Sequence, residues 1–514
     1  MKTTKRFIAM AAALTLTACA AMPMASFAAD PPATPTTYTV TINGNTADKG
    51  THTYGAYQIF TGDLAADGTL SNIQWGSGIS ATGQSTLGNA AEYAAALTDS
   101  NAATKAAELA QYLTTAEKTG SASITGLTGG YYLIQDESGS PDASTPEKQP
   151  ASKTKYILKV VKDTTVDVKS SVPSVVKKVQ DINDSDATPT LSGLQDSADY
   201  DIGDSIPYTI TATIGDGINN FSSYSFEFHD EMSAGLSMDD DVAWKIEIGD
   251  KDVTGNFTIT NTGNTYTWAV TDKDLKTYTY TEGGEEKTGT LTAGDTVVLT
   301  YNAILNKNAV VGSTGNPNEV WLKFDNNPNS SGQGNPAGET PKDKNIVFTY
   351  KTVFNKVNEN NQPLVGADFK LEKKVNGVWV DVTNLGSGEN KPSKTGDSTG
   401  STFTFSGLDD GDYKLTEVTT PEGYNTISPI EFKITATHDL ESDDPALKTL
   451  TATGLTMEAN IPSGSLTAAI KNEKGSNLPA TGGIGTTLFI LGGGCAAGIA
   501  GIYLISKKKT REEE

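Results

Sequence analysis

A lysine and a glutamate in the last third of the chain occupy strand faces that are otherwise apolar. From Tyr350, every second residue leads through Phe354 to Lys356, and from Tyr413 the same alternation leads to Glu417. Residues two apart on a strand share a face. Burial favours a neutral, nucleophilic amine and a protonated carboxyl. The pair therefore has the chemistry of a nucleophile beside an acid, although a salt bridge or a solvated face is the usual role of such charges.

A second lysine of this kind lies nearer the middle of the chain. In the stretch 173–181, Val175, Lys177 and Val179 share one strand face. Lys178 occupies the opposite face. The alternation therefore predicts that Lys177 points inward and that Lys178 points to solvent.

The composition predicts that β-strands hold these residues. The chain has 514 residues, of which 36% are hydrophobic and 51 are glycine. Many short stretches rich in Thr, Val and Tyr lie between Asn, Asp and Gly turns, a pattern typical of β-sandwiches. The formal net charge of −23 argues against nucleic acid or an anionic membrane as a main partner.

Residues 1–29 have the features of a secretory signal peptide. A basic start precedes an apolar run over 7–21, and small residues follow it, so cleavage is expected after Ala28 or Ala29. Cys19 also fits a lipoprotein box. That alternative is the weaker one, because the other end of the chain carries an anchor of its own.

The other end, over 475–514, combines a short motif, an apolar stretch over 484–505 and a basic tail. The stretch is long enough to cross a bilayer, and basic residues after a span stay cytoplasmic. An ordinary single-span membrane protein is the simpler alternative. Processing at both ends would remove Cys19 and Cys495, so the exported protein would need packing or another crosslink for stability. The motif consists of Leu478, Pro479, Ala480, Thr481 and Gly482.

The motif, the span and the tail together resemble the sorting signal of Gram-positive cell-wall proteins. In that family a sortase cuts between the Thr and the Gly of the motif. The resemblance implies cleavage between Thr481 and Gly482, and transfer of Thr481 to an amine.

The last domain closely resembles the CnaB-type domains of Gram-positive surface proteins. The run Tyr-x-Leu-x-Glu-x-x-x-Pro-x-Gly-Tyr over 413–424 is matched in full, and the last strand ends at Asn472. In that family a Lys and an Asn side chain join into an intramolecular isopeptide bond beside an acid. The resemblance implies that Lys356 is the nucleophile, Asn472 the electrophile and Glu417 the catalyst.

The preceding domain resembles the CnaA-like domains of pilins, with a looser fit. The stretch 225–236 resembles their acid-bearing strand, and the stretch 316–322 resembles the strand that supplies the asparagine. The resemblance implies a crosslink between Lys177 and Asn318, promoted by Asp230. Two alternatives stay open, and they are Lys178 as the nucleophile and Asn316 as the electrophile.

The first domain lacks such a set. Asp136 stands where the acid would be, but no lysine precedes Lys49 in the exported chain, and the strand over 156–161 has no asparagine. We expect no crosslink there. An Ala-rich stretch over 87–118 is expected to be helical.

The arrangement of domains resembles the shaft subunits of sortase-assembled pili. In that family a lysine at the end of the first domain attacks the sortase-bound Thr of another subunit. Lys169 has that position, although only Val166 and Lys169 match the family's motif. Lys162 is the competing acceptor.

We therefore expect a mainly β protein of tandem immunoglobulin-like, CnaA- and CnaB-type sandwiches, with a helical segment in the first domain. The predicted units are a signal peptide over 1–29, an N-terminal pilin domain over 30–170, a CnaA-like sandwich over 171–344, a CnaB-type sandwich over 345–474, and a linker, sorting signal, span and basic tail over 475–514.

The resemblance implies a major pilin of surface fimbriae, anchored to the cell wall of a Gram-positive bacterium and supporting adhesion. Its implied partners are further copies of itself, a pilin-specific and a housekeeping sortase, peptidoglycan, minor pilins and a host-surface ligand. The other hypothesis is a monomeric wall-anchored adhesin, which would not need Lys169. We expect no cofactor, no metal and no enzymatic turnover. The segment 181–186 hints at a calcium loop but lacks the Gly and the Glu that such loops require.

Overall fold

The computed structural model describes residues 36–44, 52–98, 101–137, 155–168, 172–326 and 338–475. The predicted signal peptide, Lys169 and the whole sorting signal lie outside these residues. Strands dominate, so the mainly β fold class is confirmed. In the part of the chain that the structure describes, no helix is long and apolar enough to cross a membrane.

The first unit, over 36–168, combines two sheets with three short helices. The elements are β1 Thr37–Asn43, β2 Tyr54–Leu64, β3 Leu70–Trp75, α1 Ala81–Leu87, α2 Ala90–Ala95, α3 Ala102–Ala110, β4 Lys118–Gly120, β5 Ser123–Thr128, β6 Gly130–Asp136, β7 Lys155–Val160 and β8 Thr164–Asp167. One sheet has the strand order β5-β1-β8, and the other has the order β3-β2-β6-β7 with β4 beside β2. Side chains of Ser80 and Asn89 cap α1 and α2. The helices occupy part of the stretch 87–118 expected to be helical, and most of α1 precedes it.

The second sandwich, over 172–348, packs two sheets around a large aromatic core that includes the buried Trp268. Its elements are β9 Ser174–Val179, β10 Ser197–Asp199, β11 Ser205–Thr213, β12 Phe226–Met232, β13 Leu236–Met238, β14 Lys245–Ile248, β15 Lys251–Asp252, β16 Phe257–Thr262, β17 Thr265–Val270, β18 Thr277–Glu282, β19 Glu285–Thr290, β20 Thr296–Leu305, β21 Asn316–Phe324, β22 Gly338–Glu339 and β23 Asp343–Phe348.

One sheet of the second sandwich has the order β10-β23-β21-β12-β17-β16, and the other has the order β15-β14-β20-β11-β9. Strands β18 and β19 form a separate hairpin. Strand β23 pairs with β21, so the predicted boundary at residue 344 falls within a strand of this sandwich.

The third sandwich, over 350–475, consists of two five-stranded sheets. The elements are β24 Tyr350–Val357, β25 Asp368–Val375, β26 Val378–Asp381, β27 Ser393–Gly396, β28 Thr402–Leu408, β29 Gly411–Thr419, β30 Ile430–His438, β31 Leu447–Thr453, β32 Glu458–Asn460 and β33 Ser465–Lys471. One sheet has the order β27-β28-β24-β33-β32, and its parallel pair joins β24 and β33, the first and last strands of the sandwich in the chain. The other has the order β26-β25-β29-β30-β31.

A buried, charged junction joins the second and third sandwiches. Lys373 of β25 forms ion pairs with Asp409 of its own sandwich and with Asp184 and Asp201 of the other, at 2.5 and 2.7 Å for the latter two. The side chain of Asn183 donates to Asp410 at 2.8 Å. The segment 181–186, which hints at a calcium loop in the sequence, therefore lies against the third sandwich and contributes to this junction.

A histidine lies in the same junction. His438 of β30 approaches Asp181 and Asp199 at 3.7 and 3.6 Å, and its Nδ1 is 2.7 Å from the hydroxyl of Ser197. Burial alone would lower the pKa of His438, but the two nearby carboxylates, Asp181 and Asp199, raise it to about 9. Burial also raises the pKa of Asp410 to about 7. All these shifts mean that the folded junction binds more protons than the unfolded chain does.

We therefore expect the junction to weaken as the pH rises. The contribution of His438 is complete below the ordinary histidine pKa and is lost as the pH rises through its folded pKa of about 9. Raising the pH from about 6 to about 9.5 should cost the coupled sandwiches on the order of 2–3 kcal/mol. Thermal unfolding of the full-length protein at both pH values measures the loss. His438→Gln should remove most of it, and a variant with the same loss as wild type would contradict this role of His438.

Candidate functional site

The third sandwich brings its three predicted residues together from different strands. Lys356 lies near the end of β24, Glu417 lies on β29 in the facing sheet, and Asn472 directly follows β33. Strand alternation turns Lys356 inward, as predicted, and the parallel pairing of β24 with β33 sets Lys356 opposite Ile470. The backbone N–H of Asn472 donates to Val357 at 3.0 Å, which holds the carboxamide next to the lysine.

The three side chains form a closed hydrogen-bonded set with almost no solvent contact. Lys356 Nζ donates to Asn472 Oδ1 at 2.5 Å and to the carbonyl of Ile470 at 2.9 Å. Asn472 Nδ2 in turn lies 2.9 and 3.2 Å from the two carboxylate oxygens of Glu417. The amine therefore lies beside the carboxamide carbonyl, while the acid contacts the carboxamide nitrogen.

The environment prepares the amine for attack. Burial lowers the pKa of Lys356 to about 8, against an opposing effect of the Glu417 carboxylate. Roughly one lysine in ten is then neutral at pH 7. Glu417 is held in place by the backbone N–H of Ile427, at 3.1 Å from its Oε2. A neutral amine in contact with an oriented amide replaces a bimolecular encounter.

The second sandwich places its predicted residues on both of its sheets. Lys177 extends inward from β9, whereas Asp230 of β12 and Asn318 of β21 come from the facing sheet, where β12 and β21 are paired. All three residues are fully buried. Burial lowers the pKa of Lys177 and raises the pKa of Asp230, so both charged forms are disfavoured.

A tyrosine that the sequence analysis did not single out lies at the centre of this cluster. Lys177 Nζ contacts Asp230 Oδ2 directly and Tyr301 Oη at 2.6 Å. Asn318 Nδ2 donates to Tyr301 Oη at 2.8 Å, and that hydroxyl donates to Asp230 Oδ2 at 3.0 Å. Alternation along β20 turns Tyr301 inward, but an inward tyrosine usually signals only a core position.

The geometry separates the alternatives left open by the sequence. Lys178 forms an ion pair with Asp196 at 2.7 Å at the edge of the sandwich. Both polar atoms of the Asn316 side chain bond to backbone groups, among them Val310 N–H at 2.8 Å. Neither residue contacts the buried cluster through a hydrogen bond in the described part of the chain. The arrangement therefore favours Lys177 and Asn318.

In the first unit, Asp136, which stands in the sequence where the catalytic acid would be, lies beside a histidine. Asp136 is buried and its Oδ2 lies 2.5 Å from Nδ1 of His52. Burial lowers the pKa of Lys155, on the adjacent strand β7, to about 8. The expectation that this unit forms no crosslink stays a prediction.

The two residues implied for intermolecular transfer, Lys169 and Thr481, lie outside the described residues. The competing acceptor Lys162 is exposed between β7 and β8. The last described residue of the first unit is Val168, which follows β8. Lys169 is therefore the second residue after the last strand of that unit in the chain.

Two groups of side chains in the described residues have donor atoms close enough together to hold a metal ion. They are Asp181 with Asp199 and His438, and Asp184 with Asp201 and Asp409. Both groups belong to the junction between the sandwiches. His438 supplies a positive charge to the first group, and Lys373 supplies one to the second. We assign no metal to either group.

Two family models match separate parts of the chain. Residues 202–328 match the Gram-positive pilin backbone subunit 2, Cna-B-like domain. Residues 351–445 match the SpaA prealbumin-like fold domain. The second sandwich, which its sequence motifs liken to CnaA-type domains, therefore matches a domain described as Cna-B-like.

Proteins similar to this chain include ones from Streptococcus and Corynebacterium. The trypsin-resistant surface T6 protein of Streptococcus pyogenes serotype M6 is 23% identical over 406 residues, which cover 66% of this chain and 70% of the relative. The solved T6 backbone pilin of S. pyogenes serotype M6, described as a modular three-domain structure, has a TM-score of 0.51 at 17% identity and covers 86% of this chain and 99% of its own. The major pilin SpaD of Corynebacterium diphtheriae has a TM-score of 0.45 at 18% identity, with 86% and 98% covered.

The match to the T6 backbone pilin agrees with the architecture described above. The fold is that of the T6 backbone pilin, and the model matched by the second sandwich is a domain of a pilin backbone subunit. The chain therefore contains a pilin-backbone domain and a SpaA prealbumin-like domain, and the resemblance to Gram-positive backbone pilins is confirmed for these two stretches.

Proposed function

We propose that this chain is the shaft subunit of a covalent, sortase-assembled pilus, with one self-formed isopeptide bond in each of its last two sandwiches. The observation that carries the proposal is the pair of buried Lys–acid–Asn clusters in tandem. Burial of an amine, a carboxyl and an amide in contact is costly. A reaction that joins the amine to the amide carbon and releases the amide nitrogen as ammonia would explain why the protein buries these groups together.

The reaction in the third sandwich follows from its contacts. The neutral Nζ of Lys356 attacks Cγ of Asn472, and the bond from Cγ to Nδ2 breaks. Glu417 accepts a proton from Nζ and delivers one to Nδ2, with which it is already in contact. The products are a secondary amide and one molecule of ammonia, and the protein reacts only once. The second sandwich would form the same products, a secondary amide between Lys177 and Asn318 and one molecule of ammonia.

The position of the third-sandwich bond suits a fibre under tension. Lys356 lies on the first strand of the sandwich and Asn472 directly after the last strand, 116 residues later. Force that enters along β24 would pass through the bond and leave towards Gly475. The residues between the two linked positions would then be shielded from the load.

Between subunits, we propose that a pilin-specific sortase cleaves after Thr481 and joins it to Lys169 of the next copy. A housekeeping sortase would join the last Thr481 to peptidoglycan. A noncovalent head-to-tail contact would also build an open filament, but it could dissociate under load. Minor pilins and a host-surface ligand would complete the fimbria and its role in adhesion.

Immunoblots of wall extracts boiled in SDS test the polymer. The wild-type strain should show a ladder of high-mass species, and deletion of the pilin-specific sortase should reduce it to monomer. A wild-type strain that shows only monomer while its sortases are expressed would refute the shaft function. That result would favour a wall-anchored adhesin.

A further inference from the structure

The acids of the two clusters reach the asparagine differently. In the third sandwich, both carboxylate oxygens of Glu417 contact Asn472 Nδ2. In the second sandwich the acid is Asp230, whose side chain is one methylene shorter. There the nitrogen of Asn318 donates to Tyr301 Oη instead, and Tyr301 connects it to Asp230.

The hydroxyl of Tyr301 bridges the two nitrogens that change bonding. It is 2.6 Å from Lys177 Nζ and 2.8 Å from Asn318 Nδ2. Its ring is fully buried and stacks on Tyr208 at 5.4 Å between centroids, so the hydroxyl is fixed in position. Burial raises the pKa of Tyr301 well above its ordinary value, and the hydroxyl therefore keeps its proton at physiological pH.

We propose that Tyr301 is a catalytic residue of the second-sandwich crosslink, carrying a proton from Lys177 Nζ to the leaving nitrogen of Asn318. The inference rests on the proposed isopeptide function. Asp230 first takes a proton from the Lys177 ammonium, and the neutral amine attacks Cγ of Asn318. Nζ then gives a proton to Tyr301 Oη while Tyr301 gives its own to Nδ2. Ammonia leaves, Asp230 is left protonated, and Tyr301 is regenerated.

The third sandwich provides an internal comparison. Among the described residues, no tyrosine hydroxyl forms a hydrogen bond with Lys356 or Asn472, since Glu417 itself contacts the leaving nitrogen. Removing the Tyr301 hydroxyl should therefore slow one of the two bonds and leave the other unchanged. A general loss of folding would not produce this selective effect.

The test follows both bonds in the same full-length chain. Wild type, Tyr301→Phe and Tyr208→Phe are synthesised in a cell-free system and sampled over time, and peptide mass spectrometry measures each bond as a branched peptide lacking one ammonia. Tyr208 is the matched control, because it is equally buried and stacks on Tyr301, whereas the hydroxyl that bridges Lys177 Nζ and Asn318 Nδ2 belongs to Tyr301.

We expect Tyr301→Phe to slow the Lys177–Asn318 bond by about 100-fold, the usual scale of a lost proton-transfer group. The Lys356–Asn472 bond should form at the wild-type rate, and Tyr208→Phe should leave both rates unchanged. Resistance of the second sandwich to protease verifies that the variants fold. In Tyr301→Phe, lengthening the acid with Asp230→Glu should restore part of the rate, as in the third sandwich.

A folded Tyr301→Phe that forms the second bond at the wild-type rate would overturn the role of Tyr301. An equal slowing by Tyr208→Phe would also overturn it, because packing would then explain the effect. A wild-type protein without the second bond would instead refute the proposed crosslink itself, so the two failures are distinguishable.

Discussion

Replacing Lys356 by alanine is expected to abolish the crosslink of the third sandwich and to lower its melting temperature by about 20 °C. The bond would close a loop between positions 116 residues apart. By analogy with a disulfide, closing such a loop stabilises the folded state by about 4–5 kcal/mol, because it restricts the unfolded chain. One kcal/mol corresponds to roughly 4 °C for a domain of this size.

Two companion variants separate the bond from its surroundings. Lys351→Ala removes a lysine from the less buried face of the same strand, and it should keep both the bond and the melting temperature. Glu417→Gln keeps the volume of the side chain but removes the acid, and it should prevent the bond and reproduce most of the loss. Calorimetry and intact mass measure both effects. A Lys356→Ala variant with the same melting temperature as wild type would contradict the proposed stabilisation.

Replacing Lys169 by alanine is expected to collapse the pilus to monomer. Each subunit needs an amine acceptor for the Thr481 of its neighbour, so loss of the acceptor should stop elongation at every step. The change would be a near-complete loss of the SDS-resistant ladder in immunoblots of wall extracts. Secretion and the two intramolecular bonds should be unaffected.

Lys162→Ala is the matched control for this variant. Lys162 lies exposed in the same unit, shortly before β8, and its loss should leave the ladder intact. A ladder that persists in Lys169→Ala and disappears in Lys162→Ala would move the acceptor to Lys162. A ladder that persists in both variants would exclude both lysines as the essential acceptor.

Strand alternation predicted the inward lysines because it depends only on residues close in sequence. It could not distinguish Asn316 from Asn318, since both lie on the buried face of β21. The distinction comes from contacts with other segments, which commit Asn316 to the backbone of Val347 and place Asn318 beside Tyr301. Tyr301 itself was missed because it is separated by 124 residues from Lys177 and carries no local signal of a reactive site.

The junction between the sandwiches could not be predicted from the sequence either. Alternation along β25 puts Lys373 on the same face as Phe369 and Leu371, but two of its three partners belong to the other sandwich. The segment 326–344 resembles a linker in composition, yet β22 and β23 return the chain to the second sandwich. Only Thr349 separates β23 from β24, so no flexible linker lies at that point.

A peptide map of the wild-type polymer, extracted from the wall and digested after denaturation, tests the account most directly. It should contain three branched peptides, which join Lys356 to Asn472, Lys177 to Asn318, and Lys169 to Thr481. Each intramolecular branch should be lighter by one ammonia than the sum of its two linear peptides. A map with only linear peptides, in which these lysines and asparagines are unmodified, would contradict the proposal of a covalently crosslinked shaft.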